Sequence, residues 1–197
     1  METLTTTPTE VLIEKAFAHG MIQVREEITA LVELLRNRHP IRHVMEIGSE
    51  SGGTFYLWCR LATLGGLKIS LDKPDGESGS WRYVDPAMLE VRTNQFKSWS
   101  ANVRVVTGDS HTPEIKQQIA TILGNEKLHF LFIDGDHSYE GVKADWDIYR
   151  EFVRSGGLVA FHDINHLGPA QLWPEIDAPK MEFNSHQHWA GIGVVTV

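Results

Sequence analysis

The chain has 197 residues, 42% hydrophobic and 22% charged, the composition of one globular domain with a full core. Its net charge of −8, with no Lys/Arg cluster interleaved with aromatics, argues against nucleic acid as a partner. No apolar run approaches the roughly 20 residues of a spanning helix, and residues 1–10 lack the basic and apolar regions of a signal peptide. A single cysteine, Cys59, allows no internal disulfide and no thiolate zinc cluster. The expected setting is cytoplasmic, away from membrane.

Two helical stretches come first. In the second, Val24, Ile28, Leu31 and Leu35 recur at spacings of four, three and four, one apolar stripe closed by Pro40. Strands and helices then alternate. A strand is expected over residues 43–47, a helix over 54–64 and a second strand over 67–71. A polar, Gly-containing loop follows over 73–85, then a helix to Trp99 and a third strand over 103–106. A helix over 113–123 leads into residues 128–133, an unbroken apolar run suited to a strand buried on both faces. The next helix starts near Ser138 and turns Val142, Trp146, Tyr149 and Val153 to one side. A fifth strand at 158–161 and two closing strands at 181–183 and 192–197 complete the chain. This alternation predicts an α/β fold: a doubly wound, mostly parallel seven-stranded sheet with an antiparallel last strand. Such sheets bind ligands at the carboxyl ends of their strands, where strand order reverses.

The strongest motif is Glu46-Ile47-Gly48-Ser49-Glu50-Ser51-Gly52-Gly53-Thr54, between a strand and a helix. Its glycines allow a tight turn and close approach of backbone to ligand, and a helix N-terminus favours anionic groups. It lacks the G-x-G-x-x-G spacing that cradles a pyrophosphate. Asp72 ends the second strand, and Gly108-Asp109-Ser110 follows the third. The fourth strand ends in Asp134-Gly135-Asp136-His137 and the fifth in Phe161-His162-Asp163.

From His43 to Val197 the chain resembles the class I S-adenosylmethionine-dependent methyltransferases, on the pattern Glu46-x-Gly48-x-x-x-Gly52 with Asp72 and Gly108-Asp109-Ser110. The resemblance implies a Rossmann-like methyltransferase domain over residues 41–197, preceded by a helical segment over 1–40. It implies cofactor contacts from Glu46, Gly48, Ser49, Gly52, Thr54, Asp72, Asp109, Ser110 and Asp134. Asp72 would accept the two ribose hydroxyls, for which a carboxylate has the lone pairs. The paired acidic ends of strands four and five are similar to those of a metal-dependent subgroup that methylates sugar and natural-product hydroxyls. Carried over, Asp134, His162 and Asp163 would bind a divalent cation, Mg²⁺ or Mn²⁺, with Asp134 and His137 catalytic and His137 the base. The family usually has a carboxylate where His162 stands, and imidazole suits Mn, Fe, Ni or Zn better than Mg. Either the metal differs, with His162 a ligand, or His162 ligates nothing and acts as a second base, or no metal binds.

The expected partner is a small hydroxylated acceptor, and self-association into a homo-oligomer stays open. Two other readings also stay open: a cofactor-binding partner protein without catalysis, and a hydroxylase on the same scaffold, as in cephalosporin hydroxylase-like relatives. Asp136 is the alternative ligand, expected to face away. Asp145 and Asp147, on a helix with Lys143, are expected on a solvated face. Trp99, Trp146 and Trp173 read as core, and His186 and His188 as exposed. His111 and His166 follow strand ends and are candidates to line the pocket. Trp81 is a candidate to cap the substrate, within a loop 73–85 expected to order over the pocket.

Overall fold

In a computed structural model of the chain, the residues described are 6–73, 86–185 and 190–197. Trp81, nearly all of the expected lid, His186 and His188 lie outside them.

Two helices, α1 (Thr9–Ala18) and α2 (Arg25–Asn37), precede β1 (Val44–Ile47). There follow α3 (Gly53–Leu61), β2 (Lys68–Asp72), α4 (Pro86–Trp99), β3 (Val103–Thr107) and α5 (Pro113–Leu123). Then come β4 (Leu128–Ile133), α6 (Tyr139–Tyr149), β5 (Val153–Phe161), α7 (Leu167–Leu172), β6 (Lys180–Phe183) and β7 (Ile192–Thr196). The strands form one seven-stranded sheet in the order β3-β2-β1-β4-β5-β7-β6. The first five are parallel, and β7 runs antiparallel to β5 and β6. This is the doubly wound α/β architecture expected, with the order reversing between β1 and β4.

Period-two alternation builds two apolar layers. Val44, Phe130, Phe132, Leu158 and Val194 face α1–α4, packing on Leu12, Ile28, Leu31, Phe55, Trp58 and Phe96. Met45, Ile47, Leu131, Ile133, Val159 and Phe161 face α5–α7, packing on Ile115, Ile119, Val142, Trp146, Tyr149 and Leu172. Helix ends follow their capping residues. Thr112 accepts from the Ile115 N–H with Pro113 opening α5, and Ser138 accepts from the Gly141 N–H at 3.0 Å to open α6. Among the described residues, no helix is long and apolar enough to cross a membrane.

Three local expectations change. Val153 starts β5 rather than ending the α6 stripe, because α6 stops at Tyr149 and a 3-10 turn (Arg150–Phe152) intervenes. Arg154, Ser155 and Gly156 are exposed in β5, so its first half carries no apolar signal. The six-residue α7, with Gly168 and Pro169, is too short to show a helical period. Asp145 is fully buried, not solvated. It shares the inward stripe of Val142, Trp146 and Tyr149 at spacings of three and four, while Asp147 makes the expected pair with Lys143 at 2.8 Å. Trp146 and Trp173 are buried and Trp99 half-buried.

Candidate active site

Sheet register places the site. Ile47 pairs with Leu71 on one side and Ile133 on the other, and Ile133 pairs with Phe161. Gly48, Asp72, Asp134 and His162 therefore leave four neighbouring strands at one level. The loops they start surround a cavity of about 650 Å³, lined also by Ser49, Thr54, Asp109, Ser110, His137 and Asp163.

Gly48 has φ +85°, and a Cβ there would collide with the Asp134 carbonyl oxygen, so the loops after β1 and β4 touch because this position has no side chain. Gly52, at φ +87°, caps α3 against the Phe96 ring and does not line the cavity. Ser49 is buried and accepts from the Ser70 hydroxyl at 2.8 Å. Glu46 is fully enclosed beneath the loop and also does not line the cavity. Burial, reinforced by Asp134, pushes its carboxyl well above the usual range.

On the β2 side, Asp72 Oδ2 accepts from the Glu50 N–H at 2.8 Å and from Arg92 Nη1 at 2.7 Å. Arg92, buried on α4, also donates to the Glu50 carbonyl at 3.0 Å, fastening the glycine loop to Asp72. Asp109 accepts from the His111 backbone N–H at 2.9 Å and pairs with Lys73 at 3.2 Å. The His111 N–H, and then Lys73, hold its carboxyl below the usual range. His111 lines the cavity, whereas His166 is exposed and does not.

The fourth and fifth strand ends meet at the reaction side. Ligating atoms of Asp134, His162 and Asp163 all lie within 4.8 Å of one another. His162 Nδ1 sits 3.0 Å from Asp134 Oδ1 and 3.3 Å from Asp163 Oδ1. Burial would lower this imidazole, but Asp134, Asp163 and Glu27 outweigh it and raise it to about 9. Burial would likewise raise Asp134, but His162 and His137 hold it at about 2. Asp163, at φ +59°, is pushed upward by burial and by Asp134. His137 Nε2 lies 3.5 Å from Asp134 Oδ1 and 3.3 Å from Asp163 Oδ2; the Asp134 contact raises its affinity for a proton. His137 is 36% exposed at the cavity while His162 is 5% exposed. Ser138, not His137, caps α6. Asp136 is exposed, accepts from the Ser138 N–H at 2.8 Å and still touches the cavity rim.

Two carboxylates and one imidazole bring oxygen and nitrogen donor atoms together at one point. Asp163 Oδ1 and His162 Nε2 are enclosed without hydrogen-bond partners among the described residues. The donor set, oxygen-rich with one nitrogen, fits a divalent cation.

Residues 45–164 match a family model described as a methyltransferase domain. The chain belongs to that family. An uncharacterized protein of Acanthamoeba polyphaga mimivirus, R132, is 32% identical over 90 residues, 45% of this chain and 40% of that protein. The chain spans less than half the length of the curated relatives it matches. Among solved structures, the Bacillus cereus O-methyltransferase in complex with SAH superposes with a TM-score of 0.64 at 15% identity, covering 98% of this chain and 94% of that one. MycE methyltransferase from the mycinamycin biosynthetic pathway, in complex with Mg, SAH and mycinamycin VI, gives 0.56 at 21% identity, covering 87% and 40%. These likenesses establish the Rossmann-like methyltransferase fold.

Sequence reasoning missed Gln23 and Arg92. Gln23, between α1 and α2, donates to Asp134 from a segment outside the family match and carries no local signal. Arg92 did carry one: it lies four residues before Phe96, on the buried side of α4.

Proposed function

We propose that the chain is an S-adenosylmethionine-dependent O-methyltransferase acting on a hydroxyl of a small molecule or sugar, with a divalent cation at Asp134, His162 and Asp163 and His137 as base. The observation that carries this is the convergence of those four side chains in the same cavity as the Gly48 loop, Asp72 and Asp109. The fold's likeness to MycE, seen with Mg, SAH and a mycinamycin, supports the substrate class.

The cofactor supplies an electrophilic methyl on a sulfonium. The cation supplies a Lewis acid that lowers the pKa of a bound hydroxyl. The chain's residues do the rest. Asp72 serves the ribose hydroxyls, its Oδ2 held by Arg92 and the Glu50 N–H and its Oδ1 by the Lys73 N–H. Asp109 and Ser110 bound the base side. The enclosure of His162 favours it as ligand, and the exposure of His137 favours it as base. Asp134 and Asp163, at 3.5 and 3.3 Å, orient the His137 imidazole at the cavity, where it would take the acceptor's proton. Orientation of the acceptor oxygen in line with the departing sulfur supplies much of the rate.

Calorimetry with S-adenosylmethionine and SAH, followed by transfer of an isotopic methyl to a panel of hydroxylated acceptors, tests the reading. Heat for neither ligand from folded protein would sink it.

A further inference from the structure

Asp145 is the acid that neither the fold nor the reaction above explains. Its side chain is 0% exposed on α6, at a position where an apolar residue would complete the stripe. Burying a carboxylate is costly unless a cation or donors answer it. What faces it is the loop after β3. His111 Nε2 lies 3.4 Å from Asp145 Oδ1, and His111 Nδ1 lies 3.6 Å from Asp109 Oδ1. One helical turn on, the Tyr149 hydroxyl donates to the Ser110 carbonyl at 2.7 Å. The Tyr149 hydroxyl thus holds Ser110, and Asp145 stands at ion-pair distance from the next residue of the same cavity loop, His111. On its other side Asp145 abuts the β4 loop, where a Cβ on Gly135 would stand 3.6 Å from its Oδ2.

We propose that Asp145 is a positioning residue for the loop that reads the cofactor's adenine, acting through His111; this rests on the cofactor reading above. The imidazole is bracketed by Asp145 from α6 and Asp109 from its own loop, with Asp136 beyond and Lys73 facing Asp109. Asp109 and Ser110 both line the cavity; so held, the loop would offer the Asp109 carboxylate as acceptor and the Ser110 N–H as donor. That pair matches the 6-amino donor and N1 acceptor of adenine. Hypoxanthine reverses both, with a carbonyl at position 6 and a proton on N1.

The test is calorimetry with SAH and with S-inosylhomocysteine, on wild type, Asp145→Asn, His111→Gln and the double variant. Wild type should prefer SAH. Each single variant should bind SAH about tenfold more weakly, and its preference should shrink to within about threefold. The double variant should be no worse than either single one, because both remove one linkage. A merely structural role would lower the melting temperature and leave the base preference intact. His111→Gln, on the cavity wall, tests the link even if the buried Asp145→Asn fails to fold. Unchanged preference in the single variants, losses that multiply in the double, or a wild type that binds both ligands equally would overturn the inference alone. A wild type that binds neither would overturn the cofactor reading and the inference with it.

Discussion

Gln23 donates its side-chain amide to Asp134 Oδ2 at 2.9 Å, across 111 residues of chain. Asp134 Oδ1 meanwhile faces His162 and His137. The N-terminal segment therefore holds one carboxylate oxygen and leaves the other to the site. Gln23→Ala should weaken Mn²⁺ binding about 10–100-fold, the scale for losing a group that orients a ligand. Titration followed by electron paramagnetic resonance reads this directly, and unchanged affinity would deny Gln23 that role.

Asp72→Ala removes the carboxylate proposed to accept the ribose hydroxyls and releases both Arg92 and the Glu50 N–H. SAH affinity should fall by about 1.5–3 kcal/mol, the scale of hydrogen bonds to a charged group. An equal affinity by calorimetry would move the ribose elsewhere.

Methyl transfer should fall in chelator and return with Mg²⁺ or Mn²⁺. Asp134→Ala should abolish that rescue. His137→Ala should lower turnover by about 10²–10⁴-fold while leaving the cation's affinity in place, the range for a lost general base. Chelator-resistant turnover would take the cation out of the mechanism.

The far end of the sheet sets an acid limit. His129 is pushed down to about 4 by burial, then by Arg154 and His43. Its unfolded value is near 6.5. The unfolded chain therefore binds more protons between those values, and stability falls as pH drops through that window. The difference in melting temperature between wild type and His129→Gln should shrink or reverse from about pH 6.5 to about pH 4. A constant difference would show that His129 does not set this limit.

Glu27 is buried and accepts from the Ser185 N–H, the Ser185 hydroxyl and the Gly191 N–H at 3.1, 3.2 and 3.0 Å. Glu27→Ala strands these donors and should cost about 2–3 kcal/mol in urea unfolding, with Glu27→Gln costing less. A loss under about 0.5 kcal/mol would mean that solvent replaces it.

The sheet was legible because parallel strands buried on both faces read as unbroken apolar runs, as Leu128–Ile133 does. The four strand-end positions, Gly48, Asp72, Asp134 and His162, were legible because topology alone brings such ends together. What escaped was set by distant partners. Asp145 looks solvated beside Asp147 until His111 and Ser110 are folded against it. Glu46 sits in the cofactor motif, yet its neighbours enclose it. Gln23 reaches Asp134 through a chain path that no local period records.

The pairing of β4 with β5 changes along its length. Leu128 faces Val153 at one end, and an irregularity precedes the even run from Phe130↔Leu158 to Ile133↔Phe161. A Cβ at Gly156 would meet nothing within 4 Å. The two strands therefore pair irregularly at the edge remote from the cavity and evenly beside it. A one-residue change within the irregular stretch before Gly156 leaves the phase of Leu158–Phe161 set by its even pairing with β4. The same change three residues later would swap the two faces of the strand and send His162 and Asp163 out of step with Asp134. The end of the strand pair beside the cavity thus works as a fixed ruler for the residues that close β4 and β5.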